Sequence, residues 1–148
     1  MAFSEFETAA NQKALSWFMD QVRPPVHIRP ELDIGYTVIG QTVDIFEIRP
    51  DWQDKSTIRH HPVSRIKFVR TEGRWRLYWM RGNLKWNTYD PDPEHRTLQS
   101  ALGVVKADAL GCFFGWSRLA MVLSRRRSTL SGCTCPAALT WPPKARAE

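Results

Sequence analysis

Residues 74–89, RWRLYWMRGNLKWNTY, hold three tryptophans, two tyrosines and four cations in sixteen positions, with no acid among them. Such a mixture suits one chemistry well: cationic groups neutralise phosphates while aromatic faces stack on unpaired bases. Arg65, Lys67 and Arg70 extend the run upstream, so residues 65–85 carry seven cations against Glu72 alone. The chain as a whole has a net charge of +6, but its distribution is uneven. Residues 1–115 carry 15 cations and 14 acids, whereas residues 116–148 carry six cations and one acid. The cluster at 65–85 is therefore a local feature and not a reflection of overall composition.

Other reactive residue types are scattered. Asp33, Asp44, Glu47 and Arg49 contain the acids and the cation that metal-dependent phosphodiester cleavage requires. They must converge on one face to act, and strand alternation puts Asp33 and Asp44 on one side and Glu47 on the other. His60 and His61 are adjacent, so their rings diverge, and His27 and His95 lie far off in sequence. No zinc-ligand spacing, phosphate-binding glycine loop or nucleophile elbow is present. The three cysteines, Cys112, Cys133 and Cys135, form neither a disulfide framework nor a CxxC pair. No metal and no cofactor are expected, and the balance of these residue types leans away from an enzyme.

Positioning these residues falls to short elements. Ser4 and Glu7 have capping-box spacing, and Phe6, Ala10, Ala14 and Trp17, with Leu15, Phe18 and Val22, form an apolar stripe ended by Arg23-Pro24-Pro25. LDIGYTV and VDIFEIR flank Gly40-Gln41, a two-residue hairpin loop of type II′. Pairing residue 39 with 42 puts Val38 opposite Val43, Tyr36 opposite Ile45 and Ile34 opposite Glu47. Residues 50–62, polar and bounded by prolines, read as a loop whose Trp52 could anchor a protein partner.

A second hairpin turns at Glu72-Gly73, with Phe68 opposite Leu77 and Ile66 opposite Trp79. Alternation sends Trp75, Leu77 and Trp79 inward and Arg65, Lys67, Val69, Arg74, Arg76, Tyr78 and Met80 outward. NLKWNTY continues as a fifth strand, with Leu84 and Trp86 inward and Lys85, Asn87 and Tyr89 outward. Leu98, Ala101, Leu102, Val105 and Ala109 then mark a second amphipathic helix. The order predicts an α+β domain over residues 1–115: an N-terminal helix, an antiparallel sheet of about five short strands, and a C-terminal helix packed on one sheet face. Residues 116–148 lose periodicity after a basic stretch that includes Arg125–Arg127, and are expected to be a poorly ordered basic tail.

The segments MAFSEFE, RPPVHIR, LDIGY, QTVDIFEIRPDW, WRLYWMRGNLKWNTYDP and GCFFG, in that order, resemble the small bacterial proteins grouped as domain of unknown function 3024. The resemblance runs from residue 1 to about Gly115 and implies a bacterial, cytoplasmic protein; it brings no activity or catalytic residue. The resemblance implies that members usually end soon after the CFFG motif, so the tail here is expected to be a strain-specific extension or a frameshift product.

No apolar run spans a bilayer and no basic n-region precedes an apolar stretch, so the expectation is a cytoplasmic protein without a membrane partner. The leading functional expectation is a non-enzymatic module whose basic sheet face binds RNA or DNA. Arg65, Lys67, Arg74, Arg76, Arg81 and Lys85 would meet phosphates, and Tyr78 and Tyr89 would stack on bases. A protein–protein adaptor using the same face is the alternative, and a metal-dependent nuclease the third.

Overall fold

The computed structural model describes residues 3–115 of the chain. Helix α1 runs over Glu5–Val22 and begins where the capping box predicts. The Glu7 carboxylate accepts from the Ser4 backbone N–H at 2.8 Å, and the Ser4 hydroxyl accepts from the Glu7 N–H at 3.3 Å. Arg23 closes the helix in extended backbone ahead of Pro24 and Pro25. Of the apolar stripe, Ala14, Leu15 and Phe18 are buried and Trp17 and Val22 half-buried. Phe6 departs from the expected core position and is 85% exposed. Its place over the sheet is taken by Phe3, whose ring lies 5.6 Å from Trp75 and 5.8 Å from Phe68.

The antiparallel sheet follows: β1 Asp33–Ile39, β2 Thr42–Pro50, β3 Ile58–Val69, β4 Arg74–Met80, β5 Trp86–Thr88 and the two-residue β6 Glu94–His95. Strands β1 to β5 lie side by side in chain order, and β6 joins β4 beyond the end of β5. The first hairpin has the register its two-residue loop dictates, Val38 with Val43, Tyr36 with Ile45 and Ile34 with Glu47. Gly40 takes the loop's left-handed position at φ +59°.

Three expectations about the later strands are corrected. Residues 58–62 are strand, not loop: Pro50 to Phe46 pair with Ile58 to Pro62. Between Ile45 and Phe46 the pairing skips Val63, a β-bulge beside Pro62, which pairs with β2 alone because β3 meets β4 only from Ser64 onward. The second hairpin is slipped by two residues, with Phe68 opposite Trp75 and Ile66 opposite Leu77. Its turn is the four residues Arg70–Gly73, closed by the Glu72 N–H on the Val69 carbonyl, rather than Glu72-Gly73 alone. A slip of two preserves sidedness, so Trp75 and Leu77 are buried and Trp79 packs half-buried against the core, as alternation requires. The third correction concerns β5. Leu84 sits in a turn at φ +58° and is exposed, which advances the alternation by one residue. Trp86 therefore pairs with outward-facing Met80, while Tyr89 turns inward, 3% exposed, with its ring 4.9 Å from Phe113.

Helix α2, Leu98–Ala107, is capped by the Thr97 hydroxyl, which accepts from the Ser100 N–H. It buries Leu98, Ala101, Leu102 and Val105 as expected, and ends two residues short of Ala109. The two helices pack on each other and cover one sheet face; there Ile34, Val43, Ile45, Ile66 and Leu77 meet Leu15, Phe18 and Leu102. The α+β architecture is thus the expected one. No helix among the described residues is long and apolar enough to cross a membrane. The expectations for residues 116–148 lie outside the described residues.

A salt bridge ties the end of α1 to the start of the sheet. Arg23 holds Asp33 by Nε–Oδ1 at 2.9 Å and Nη2–Oδ2 at 2.7 Å, and the Ile34 N–H also donates to Oδ1. The Arg23 hydrogen bonds above all hold the Asp33 carboxyl below the usual carboxylate range. A folded-state pKa below the unfolded value of about 3.9 gives stability that is complete above that value. That contribution is lost as pH falls through the folded pKa. Arg23→Gln should therefore lower the urea midpoint at pH 7, and the deficit should shrink as pH drops below about 4. A deficit that stays constant down to pH 2 would show that Arg23 acts through packing alone.

Candidate nucleic-acid interface

The face of the sheet away from the helices is built by strand alternation. One row runs Thr37, Asp44, Arg65, Tyr78 and Thr88 from β1 to β5; the next carries Gly35, Phe46 and Pro62, then Met80 and Trp86. A third joins Thr42, Lys67 and Arg76, with Val69 and Arg74 beyond. Arg65, Lys67, Arg74, Arg76 and Tyr78 thus share one face, as expected. Arg81 and Lys85 lie in the β4–β5 turn, joined by the Arg81 N–H on the Lys85 carbonyl. The Arg81 guanidinium leans over Trp79 at 5.6 Å, away from the outward rows. Tyr89 belongs to the core and leaves the face altogether; burial pushes its phenol above the usual range.

The face is less positive than the local run suggests, because the fold brings acids to it from other elements. Asp44 grips Arg65 in a two-pronged pair, Nε–Oδ1 and Nη2–Oδ2 both at 2.7 Å. Glu72 accepts from Arg76 Nη2 at 2.6 Å, and Glu94 stands 3.8 Å from both Arg74 and Arg76. Arg70 faces Glu7 at 3.8 Å. Lys67 and Lys85 remain exposed.

Its most organised part is a cleft of about 210 Å³ lined by Asp44, Phe46, His60, Pro62, Arg65, Met80 and Trp86. On the β2–β3 side, Phe46 stacks on His60 at 4.6 Å and 11° between planes. Phe46 can lie flat there because its cross-strand neighbour is Gly35, where a Cβ would stand 2.8 Å from the Phe46 ring. On the β5 side, the Arg65 guanidinium lies over Trp86 at 4.6 Å. Asp44 fixes that guanidinium and raises its pKa through the paired hydrogen bonds. Sequence reasoning missed Trp86, Phe46 and His60. A large ring directly across from glycine was the available signal for Phe46, whereas Trp86 and His60 depend on a turn and a bulge that alternation alone does not reveal.

The acids considered for phosphodiester cleavage do not converge. Asp33 pairs with Arg23, Asp44 with Arg65, and Glu47, buried on the inner face, with Arg49 at 3.0 Å. Among the described residues no group of three His, Cys, Asp or Glu side chains could hold a metal ion. His60 faces outward to Phe46, while its neighbour His61 sits opposite inward-facing Glu47. Cys112 is half-buried, and burial raises its thiol pKa.

The model of a family described as Domain of unknown function (DUF3024) matches residues 3–115, the same span that the structure describes. No curated protein and no solved structure matches the chain. The match covers most of the chain, which therefore belongs to this family.

Proposed function

We propose that this member of the DUF3024 family binds single-stranded nucleic acid on the outward sheet face, with one base held in the Phe46–Trp86 cleft. The supporting observation is the Arg65 guanidinium pinned over Trp86 across from a stacked Phe46–His60 pair. Unpaired bases stack on aromatic and guanidinium planes in this way, and a base inside a duplex cannot enter such a cleft. Lys67 stands to one side of the cleft and Lys85 to the other, with Arg74 and Arg76 further along the Lys67 side, a spacing suited to a backbone crossing the sheet. Tyr78, half-buried beside Arg65, gives the strand a further aromatic contact.

Titrating the full chain with a fluorescent single-stranded octamer across salt concentrations tests this. About three neutralised phosphates give a log–log slope near −2 for a single strand. Trp86→Ala should weaken binding roughly 5- to 150-fold, the range for one lost stacking contact. Because that variant keeps the cations of residues 116–148, its loss reports on the cleft and not on the tail. Absence of binding at low salt, or equal binding by Trp86→Ala, would overturn the proposal.

A protein adaptor is the second reading. Trp52, 85% exposed on the β2–β3 loop, favours it. That loop is braced by the Asp51 N–H on the Thr57 carbonyl and by Asp54 accepting from Ser56 and Thr57. A tryptophan displayed on a braced loop suits an interface anchor, and such binding would vary little with salt.

A further inference from the structure

We infer that two copies of this chain join edge to edge through strand β1, as a symmetric antiparallel pair that makes one continuous sheet. The two ends of the sheet are built differently. At one end β5 spans three residues, Trp86–Thr88, too short to template a further strand. At the other, β1 spans seven residues, Asp33–Ile39, paired on one side only. Its register with β2 runs without a bulge, and residues 34–39, IGYTVI, contain no charge and no proline. Such an edge lacks the usual devices that blunt pairing with another chain. The phase of its outward groups follows from one bond. The Phe68 N–H donates to the Gln41 carbonyl at 2.8 Å, so Gln41 and Val43 direct their backbone groups to β3 while Thr42 and Asp44 direct theirs to β1. Ile39, Thr37 and Gly35 answer from β1, which turns the N–H and C=O of Ile34, Tyr36 and Val38 outward. Asp33 Oδ1 already takes the Ile34 N–H at 2.8 Å. The outward backbone groups of Tyr36 and Val38 have no partner among the described residues.

Those groups select both the occupant and its register. Antiparallel pairing centred on Thr37 sets Tyr36 of each copy opposite Val38 of the other. The outward N–H and C=O groups then close four hydrogen bonds, and the engaged Ile34 N–H is left undisturbed. Side chains agree with that register on both faces. On the helix side Tyr36 meets Val38, an aromatic ring against a β-branched residue, which is a favourable cross-strand pair. Val38 is 45% exposed in the single chain. On the outward side Ile39, 67% exposed, lies over Gly35 of the other copy, a position without a side chain and bordered by the Phe46 ring. Thr37 faces Thr37 at the two-fold axis, where the hydroxyls pair. Electrostatics permit the approach, because the one charged residue of β1, Asp33, stands at the strand's end and is neutralised by Arg23. A joint of two short strands belongs with the small specific interfaces, below about 1,200 Å², so the dimer assembles and dissociates with concentration. The two-fold axis is perpendicular to the sheet, and both outward faces therefore point the same way.

Sedimentation velocity on the full chain, nuclease-treated and in salt high enough to remove nucleic-acid bridging, measures its mass over a wide concentration range. The expected result is a monomer that becomes a dimer as concentration rises. Thr37→Lys opposes two like charges at the axis and should stay monomeric throughout, with a thermal melt showing that it is folded. Cysteine pairing then tests the register in a chain carrying Cys133→Ser and Cys135→Ser, with half-buried Cys112 kept. Thr37→Cys should give a disulfide-linked dimer under mild oxidation, since directly opposed residues of a non-hydrogen-bonded pair stand about 4.5 Å apart at Cα, within disulfide reach. Ile39→Cys, also exposed and on the same face, should not, because its two copies are four residues apart, about 14 Å along the strands. A monomer at every concentration would overturn the dimer and leave the edge to a strand of another protein. A dimer undisturbed by Thr37→Lys would place the contact elsewhere, and equal cross-linking at 37 and 39 would remove the register; either result overturns the assignment. None of these outcomes depends on single-strand binding by the cleft, which is a property of each copy.

Discussion

Phe18→Ala should cost about 3–5 kcal/mol of folding stability, the range for emptying a buried aromatic site. Phe6→Ala, on the same helix, should stay within about 0.5 kcal/mol. Phe18 is wholly enclosed in the cluster of Leu15, Ile66, Leu77 and Leu102, so its removal leaves a void that neighbouring strands cannot close without breaking register. Phe6 projects from the first turn of α1 beyond the sheet, where Phe3 has already covered Trp75. Urea unfolding followed by tryptophan fluorescence would give both values, and an unchanged m-value would confirm that the difference lies in stability. Comparable losses at the two positions would mean that α1 is seated differently on the sheet.

The second large effect is expected at Asp108. This residue ends α2 in left-handed backbone at φ 43°, and its carboxylate accepts from three successive amides: Phe113 at 3.0 Å, Phe114 at 2.9 Å and Gly115 at 3.1 Å. A negative charge at a helix C-terminus opposes the helix dipole, an effect of about 0.3–1 kcal/mol. Hydrogen bonds to a charged group contribute about 1.5–3 kcal/mol, so the amides outweigh the dipole. Asp108→Ala should therefore destabilise by about 2–3 kcal/mol, since it strands the amides that steer Phe113 and Phe114 into the core. Asp108→Asn, which keeps one acceptor oxygen and tolerates left-handed backbone, should lose roughly half as much. The same turn shields Cys112, so thiol labelling should accelerate in the alanine variant more than in the asparagine variant. A neutral Asp108→Ala would show that the Phe113–Phe114 turn is held by packing and not by the carboxylate.

What could be read from the chain divides along physical lines. The first hairpin was fully legible, because a two-residue loop with leading glycine leaves one register and the apolar row agrees with it. Helix α2 was equally legible from Leu98, Ala101, Leu102 and Val105. Signals weakened wherever a turn or bulge of unstated length intervened. The four-residue turn at Arg70–Gly73 shifted the second register by two and spared the sidedness of its residues. The turn conformation of Leu84 shifted alternation by one, which exchanged Trp86 and Tyr89 between faces and so altered the candidate site. Charge was the least legible quantity. A run reading as seven cations to one acid meets Asp44, Glu94 and Glu7 only once the strands and α1 are assembled.

The bulge at Val63 has a consequence for how core and cleft are linked. Beyond it, even-numbered residues Ser64, Ile66 and Phe68 face the helices; before it, odd-numbered His61 takes that side and even-numbered Pro62 and His60 face outward. One strand is thus written in two phases, and the change of phase brings His60 onto Phe46. The cleft and the core depend on each other through counting as much as through contact. Insertions or deletions within β3 are filtered by parity, since a one-residue change on either side of Val63 exchanges a wall of the cleft for a piece of the core.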